Sequence, residues 1–501
     1  MTTNTAPITG TWLIEHGWPE GPLIGQALRL AASLTANGID PENVRAELGR
    51  VLSDPAAVAA GEATFDLAQA LLAVVREREA AARLRAAPRI VGQPGPSGEI
   101  VVRERPLPAP IWGRELIDDG AVRQLHDAMR LPVTAAGALM PDAHVGYGVP
   151  IGAVVALDGA VAPYMVGVDI ACRMMLTVYP EDALGLLGAR RDALRTAMRA
   201  ESRFGIGASF RKGERRAHAV LDDPDWAATQ QLAGLRDKAW AQLGTSGTGN
   251  HFVDAGRLTV DAAGADALGI AEGAYFALLT HSGSRGVGAQ IANKYSKLAR
   301  ETTPLPRELQ NLAWLDLESE LGQAYWTSME LAGRFASACH HVLHDALEGA
   351  LGLERVAAVE NHHNFAWKED VEVDGETREL VVHRKGATPA HRGELGVIPG
   401  SQGHPTYVVR GLGAAEAIHS ASHGAGRRMG RRQATREISR AERADWLAER
   451  GVELLDGGLD EAPQAYKDID EVLALQRDLA EPVARFDPAV VLMASDGTSE
   501  G

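Results

Sequence analysis

Apolar positions recur at helical spacing over residues 23–36, 43–52 and 64–85, the last stretch rich in Ala, Leu, Arg and Glu. Asn37-Gly-Ile-Asp-Pro41 supplies a loop and a cap between the first two. A run dense in Pro and Gly, residues 87–98, reads as a linker or exposed turn and sets a boundary. The expected division is a helical extension with its linker over 1–98 and a larger unit over 99–501. Beyond the boundary the period shortens. β-type runs at 151–157, 173–178, 275–279, 380–383 and 406–409 are punctuated by Gly-rich turns, with a long helix expected over 308–347. The expected fold class is α+β, a single unit of β-sheets flanked by helices. Residues 427–450 fit a helix bearing Arg427, Arg428, Arg431, Arg432, Arg436, Arg440, Arg443 and Arg450. That face is either solvated, with Glu437 and Glu442 as partners, or a wall turned toward a polyanion.

With 45% hydrophobic and 23% charged residues in 501, the chain has the balance of an ordinary globular protein. A formal net charge of -16 argues against a generally basic, polyanion-coated surface and leaves room for a local basic groove. The two cysteines, Cys172 and Cys339, exclude a tetrathiolate zinc site and point away from a disulfide scaffold. Together with an N-terminus free of a basic stretch, they point to a cytoplasmic setting. No apolar run reaches the roughly 18 residues of a membrane span, so no membrane partner is expected.

Candidate chemistry lies in several short motifs. Val166-Gly-Val-Asp-Ile-Ala-Cys172 offers a hard oxygen and a soft sulfur three residues apart. Such a pair is either a metal site in the making or a turn acid beside a buried thiol. Met140-Pro-Asp-Ala-His144 places Asp142 and His144 on a turn rich in Gly and Pro. Gly244-Thr-Ser-Gly-Thr-Gly-Asn-His251 can bring backbone N–H groups to an anion and lacks the Gly-Lys-Ser/Thr ending of a P-loop. His281-Ser-Gly-Ser-Arg285 and Asn361-His-His-Asn364 both follow apolar runs, so strand ends deliver His281, Arg285 and His363 to an edge. His383-Arg-Lys385 and Ile398-Pro-Gly-Ser401 put cations and small residues where phosphate contact is possible. In Ser420-Ala-Ser-His-Gly-Ala-Gly-Arg427, small neighbours suit either a nucleophilic imidazole or a helix-start histidine. Cys339-His-His341 with His344 reads as a polar stripe on a long helix rather than a zincin pair.

In this order, over roughly residues 106–494, these blocks resemble the RtcB family of GTP-dependent RNA ligases, as does Glu461-Ala-Pro-Gln-Ala-Tyr-Lys-Asp-Ile-Asp470. The resemblance implies an RtcB-like catalytic domain with two Mn ions. Cys172 would bridge them, His281 and His363 completing one sphere and Asp169 with His251 the other. It implies His423 as the nucleophile that accepts GMP from GTP, with Asp142 and His144 as further catalytic residues near the metals. Asn250, Asp254, Ser401, Thr406, Arg427 and Tyr466 would hold the nucleotide; Arg285, Arg384 and Lys385 would meet RNA or phosphate. The implied substrates are RNA ends, a 3'-phosphate or 2',3'-cyclic phosphate joined to a 5'-hydroxyl, in RNA repair or tRNA processing. The family pattern differs at Asp254, where a Glu is usual, at Ser422, usually Cys, and at Met493, where a guanine-contacting lysine is expected. These departures keep two other activities open: a cyclic phosphodiesterase or nucleotidyl transferase that does not ligate, and a non-catalytic binder of RNA ends.

Overall fold

The computed structural model describes residues 8–19, 21–59, 61–86 and 100–495. The expected linker at 87–98 and the opening residues 1–7 lie outside the described residues.

The early periodicity produces helices Pro22–Ala36, Pro41–Ser53 and Phe65–Ala86, preceded by Gly10–Glu15. Asp40 starts the second of these with its carboxylate on Glu42 N–H, and proline occupies the first turn, where its missing N–H costs nothing. Leu13, Trp18, Leu23, Leu48, Val51 and Leu71 close a hydrophobic cluster among these helices, each side chain contributing about 1.5–3 kcal/mol by leaving water.

After residue 100 the chain builds two main sheets. The smaller is antiparallel, in the order Thr134–His144, Ile151–Leu157, Glu376–Lys385, Asn364–Val373. The larger runs Leu395–Pro399, Thr406–Gly411, Ala480–Met493, Phe252–Val260, Gly273–Ser282, Arg173–Tyr179, Ala357–His362. Glu453–Asp456 adds to it in parallel beside Ala480–Met493. Each of the five expected β-runs falls inside one of these strands. His363 is the residue at which the chain leaves the larger sheet and enters the smaller one. Because neighbouring strands are antiparallel, Arg173, Phe252, His281 and His362 meet at one end of the large sheet: Arg173 pairs with Ser282 and His362, and Phe252 with His281.

The helix expected over 308–347 breaks. Residues Arg307–Leu312 form a 3₁₀ turn, Leu315–Asp316 pairs with Ala160–Val161, and the helix begins at Glu320 and ends at Leu351. Trp314 and Leu315 are buried where the short strand starts, and Ser319 caps the new helix by accepting from Gly322 N–H. This helix packs along both sheets. Phe335 joins the cluster containing Ile170 and Ala171, while Leu343 and Leu347 pack with Tyr179 and Phe276.

The stretch 427–450 also divides, into Arg431–Glu437 and Arg440–Glu449, because Ile438 is buried and Ser439 opens the second helix with a capping box to Glu442. Its arginines divide too. Arg427 and Arg431 turn inward to Glu461, and Arg443 donates to Gly457 O and Gly458 O, whereas Arg432 and Arg436 face solvent. Among the described residues, no helix is long and apolar enough to cross a membrane.

Candidate metal centre and nucleophile

Asp169 to Cys172 is a tight turn leading into Arg173–Tyr179. Ala171 takes a positive φ of 54°, its N–H bound to Asn364 O, and Ser284 Oγ donates to Ile170 O. A side chain at position 283 would stand 2.2 Å from Asp169 Oδ1, so Gly283 is needed to admit the carboxylate.

At the sheet end, Cys172 Sγ lies 3.1 Å from His281 Nε2 and 3.3 Å from His251 Nε2. His281 Nε2 is 3.3 Å from His363 Nε2, and His251 Nε2 is 2.9 Å from Asp169 Oδ2. Two donor sets result, Cys172–His281–His363 and Asp169–Cys172–His251, with the sulfur common to both. Donors that sit about 2.0–2.3 Å from a tetrahedral cation are about 3.3–3.7 Å from each other. The observed spacings approach that edge, so both sets fit a divalent cation with little movement.

The surroundings fix the donor atoms. His281 Nδ1–H donates to Asn250 O, leaving the Nε2 lone pair facing Cys172 and His363. Burial, reinforced by His251, lowers His281 to about 3, and burial with His423 nearby takes His363 well below the usual range. Both rings are therefore neutral ligands near pH 7. Burial alone would raise Asp169, but His251 and Arg285 outweigh it and hold the carboxylate ionised. Burial and Asp169 push the Cys172 thiol well up, so a cation binding here has to displace its proton. Arg285 donates to His251 Nδ1 at 2.9 Å. A neutral imidazole has one lone pair, so this guanidinium and a cation at Nε2 compete for the ring.

His423 stands beside the donor sets, its ring centroid 4.8 Å from that of His363. Asp142, fully buried, accepts from His423 Nδ1 at 2.6 Å and from His423 N–H at 3.2 Å. The Nδ1–H tautomer leaves the Nε2 lone pair free as a nucleophile. Lys467 Nζ donates to Pro141 O and Ala143 O, gripping the backbone on both sides of Asp142. The His144 ring reaches Asp142 O through Nδ1 at 3.3 Å, and burial lowers it to about 4.

The expected nucleotide residues form three patches. Arg427 stacks on Tyr466 and bonds its hydroxyl at 3.1 Å, and Glu461 binds both. The Gly-rich loop approaches this patch, a Cβ on Gly249 lying 3.1 Å from Arg431. Ser401 Oγ is 2.6 Å from His404 Nδ1 in the loop before strand Thr406–Gly411, and Thr406 is buried between Pro399 and Phe486. Asp254 is buried opposite Val491, beside the pairing of Phe252 with Met493; among the described residues its Oδ1 has no hydrogen-bond partner, and burial raises it well above the usual carboxyl range. Gln402 Nε2 donates to the Met493 sulfur at 3.3 Å.

The cations expected to meet RNA or phosphate part company. Lys385 donates to Tyr147 O and Tyr164 O close to the turn before Asp169, and burial lowers it to about 7. Arg384 points into the protein instead. It is fully buried, pairs through both terminal nitrogens with Glu369 and spends the rest on Ser420 Oγ and Ile418 O. His340 and His344 form a polar stripe on the inner side of helix Glu320–Leu351. They are buried and share Thr280 Oγ1, with His344 also on Thr177 Oγ1, as a hydrogen-bonded core network.

Sequence reasoning passed over Lys467, Glu461 and Asn364. Asn364 holds Asp169 O, Ala171 N–H and Gly386 N–H in place. All three lie inside strings already singled out by their histidines, tyrosine or acid, and that adjacency was the available signal.

Comparison with known proteins completes the picture. The family model described as tRNA-splicing ligase RtcB matches residues 124–494. The RNA-splicing ligase RtcB of Escherichia coli (strain K12) is 32% identical over 408 residues, covering 75% of this chain and 95% of that protein. That of Mycobacterium tuberculosis is 32% identical over 430 residues, covering 73% and 98%. The tRNA-splicing ligase RtcB of Nanoarchaeum equitans is 31% identical over 442 residues, covering 75% and 92%. The match embraces both donor sets, Asp142 and His423, and the chain belongs to the RtcB family.

Proposed function

We propose that this protein is an RNA ligase, dependent on GTP and Mn, that joins a 3'-phosphate or 2',3'-cyclic phosphate end to a 5'-hydroxyl end. The observation that carries this reading is the sharing of Cys172 by two buried donor sets next to a histidine oriented by a buried carboxylate. Cys172, His281 and His363 would hold one Mn ion, and Cys172, Asp169 and His251 the other. When bound, the pair supplies positive charge at the phosphates and lowers the pKa of water. The catalytic unit would be residues 99–501, with residues 1–98 an extension. A reducing, cytoplasmic location accords with two free, buried cysteines.

The chain's own residues account for the group transfers. Asp142 keeps the His423 Nδ1–H in place, and Nε2 attacks the α-phosphate of GTP; an N–P bond forms and pyrophosphate leaves. Asp142 also stabilises the positive charge that develops on the ring. Asn250, Arg427 and Tyr466, with Asp254, Ser401 and Thr406, would position the nucleotide, and Arg285 and Lys385 would meet RNA phosphate. Water first opens a cyclic end, adding at phosphorus as the P–O2' bond breaks, and leaves a 3'-phosphate and a 2'-hydroxyl. GMP then passes from His423 to that phosphate, and the 5'-hydroxyl of the second strand displaces GMP as the new phosphodiester forms.

Incubation with GTP labelled at the α-phosphate and MnCl2 tests the reading. The protein is expected to take an acid-labile label that His423→Ala abolishes. An unlabelled wild type would falsify the ligase reading, and label without joined ends would move it to a nucleotidyl transferase.

A further inference from the structure

The loop between strands Thr134–His144 and Ile151–Leu157 presents an aromatic ring in an unusual way. Tyr147 is 72% exposed, yet its backbone is fastened from three directions. Gln124 grips the preceding residue twice, Nε2 donating to Gly146 O at 2.6 Å and Oε1 accepting from Gly146 N–H at 3.0 Å. Lys385 Nζ donates to Tyr147 O at 2.6 Å. Gly148, at φ 79°, packs so close to Asn311 O that a Cβ there would stand 2.9 Å from it. The backbone that carries this solvent-exposed ring is thus braced on both sides.

Its position is equally specific. Tyr147 lies three residues beyond His144, and the lysine holding its carbonyl precedes Gly386, where a Cβ would be 3.2 Å from the His423 ring. Val145 and Val168 are also exposed, the latter immediately before Asp169, so two loops bring apolar side chains to the rim of the candidate centre. Arg123 is exposed beside Val145. The acids of its own helix are already engaged: Asp118 caps the helix, Asp119 pairs with Arg114 and Asp127 with Arg130.

We propose that Tyr147 is a stacking platform for a nucleobase of the single-stranded RNA end that enters the His423 site, with Arg123 contacting a backbone phosphate. This rests on the RNA-ligase reading. Stacking on a pre-positioned ring holds a base without reading its identity, because every base has a π-face, and the fixed loop removes the ordering cost that a mobile tyrosine would incur.

The test uses the full chain and a short fluorescein-labelled RNA with a 3'-phosphate, followed by anisotropy. Tyr147→Ala is expected to weaken binding on the order of 10-fold, whereas Tyr147→Phe stays within about 2-fold of wild type. Tyr147→Trp is expected to lose indole fluorescence as RNA is added, a signature that a purely structural tyrosine does not give. Arg123→Met is expected to lower the salt slope by about one counterion. Labelling of His423 by GTP stays unchanged in Tyr147→Ala. Wild-type RNA affinity in Tyr147→Ala, with labelling intact, overturns the platform and leaves the ligase reading standing. Loss of labelling in the wild type overturns the ligase reading instead, and a wild type that takes label but binds no RNA overturns the platform.

Discussion

Replacing Asp142 by Asn isolates the contribution of one carboxylate to the nucleophile. Asp142 is fully buried, and its Oδ2 accepts from both the ring and the backbone N–H of His423 at 2.6 and 3.2 Å. Asn fits the same space, and its Oδ1 can replace that oxygen because both partners are donors. The tautomer therefore survives, and what is lost is the negative charge facing a ring that becomes positive as the N–P bond forms. A hydrogen bond to a charged group is worth about 1.5–3 kcal/mol, which corresponds to a rate of His423 labelling roughly 10- to 150-fold slower. Asp142→Ala removes the orientation as well and is expected to be slower still. The assay is single-turnover transfer of label from α-labelled GTP at saturating Mn, with thermal melting to confirm that the variants remain folded. Folded Asp142→Asn labelled within about 3-fold of wild type would refute the assignment of Asp142 as the group that orients and charges the nucleophile.

Other perturbations separate the parts of the site. Cys172 belongs to both donor sets, so Cys172→Ala is expected to empty both and His363→Ala only one, as read by metal content per chain after Mn loading and gel filtration. Arg384→Met takes the main partner from half-buried Glu369, leaving His391 at 3.7 Å, so it is expected to cost about 3 kcal/mol in denaturant unfolding, the low end for breaking a buried pair. RNA affinity of the folded fraction should not move. Burial lowers His344 from 6.5 to about 3. The unfolded chain thus binds the extra proton first, and the stability conferred by the neutral ring is full above pH 6.5 and falls as pH drops toward 3. The slope is about 1.4 kcal/mol per pH unit for one ring, and His344→Asn should flatten the acid limb of a plot of melting temperature against pH.

How far the sequence reveals this arrangement depends on how local the physics is. Strand Ile151–Leu157 and the donors at the sheet end were legible because an apolar run followed by a histidine or a glycine turn is a local pattern. The break near Trp314 was not, since its cause is a strand partner at Ala160–Val161 far earlier in the chain. Arg384 and Lys385 look alike in sequence as adjacent cations, but alternation along a strand sends them to opposite faces, and Glu369 on the neighbouring strand claims Arg384. Asp142 and His423 each stood out, while the hydrogen bond that makes them one unit spans 281 residues. His340 and His344 read as polar because Thr177 and Thr280, which satisfy them in the core, lie on strands far from their helix.

The central claim is that one thiolate joins two cation sites beside His423. Anomalous diffraction at the manganese edge from crystals soaked in MnCl2 measures it directly. Two peaks flanking Cys172 Sγ are expected, one among His281 and His363 and the other among Asp169 and His251; a single peak, or peaks that leave Cys172 out, would contradict the account.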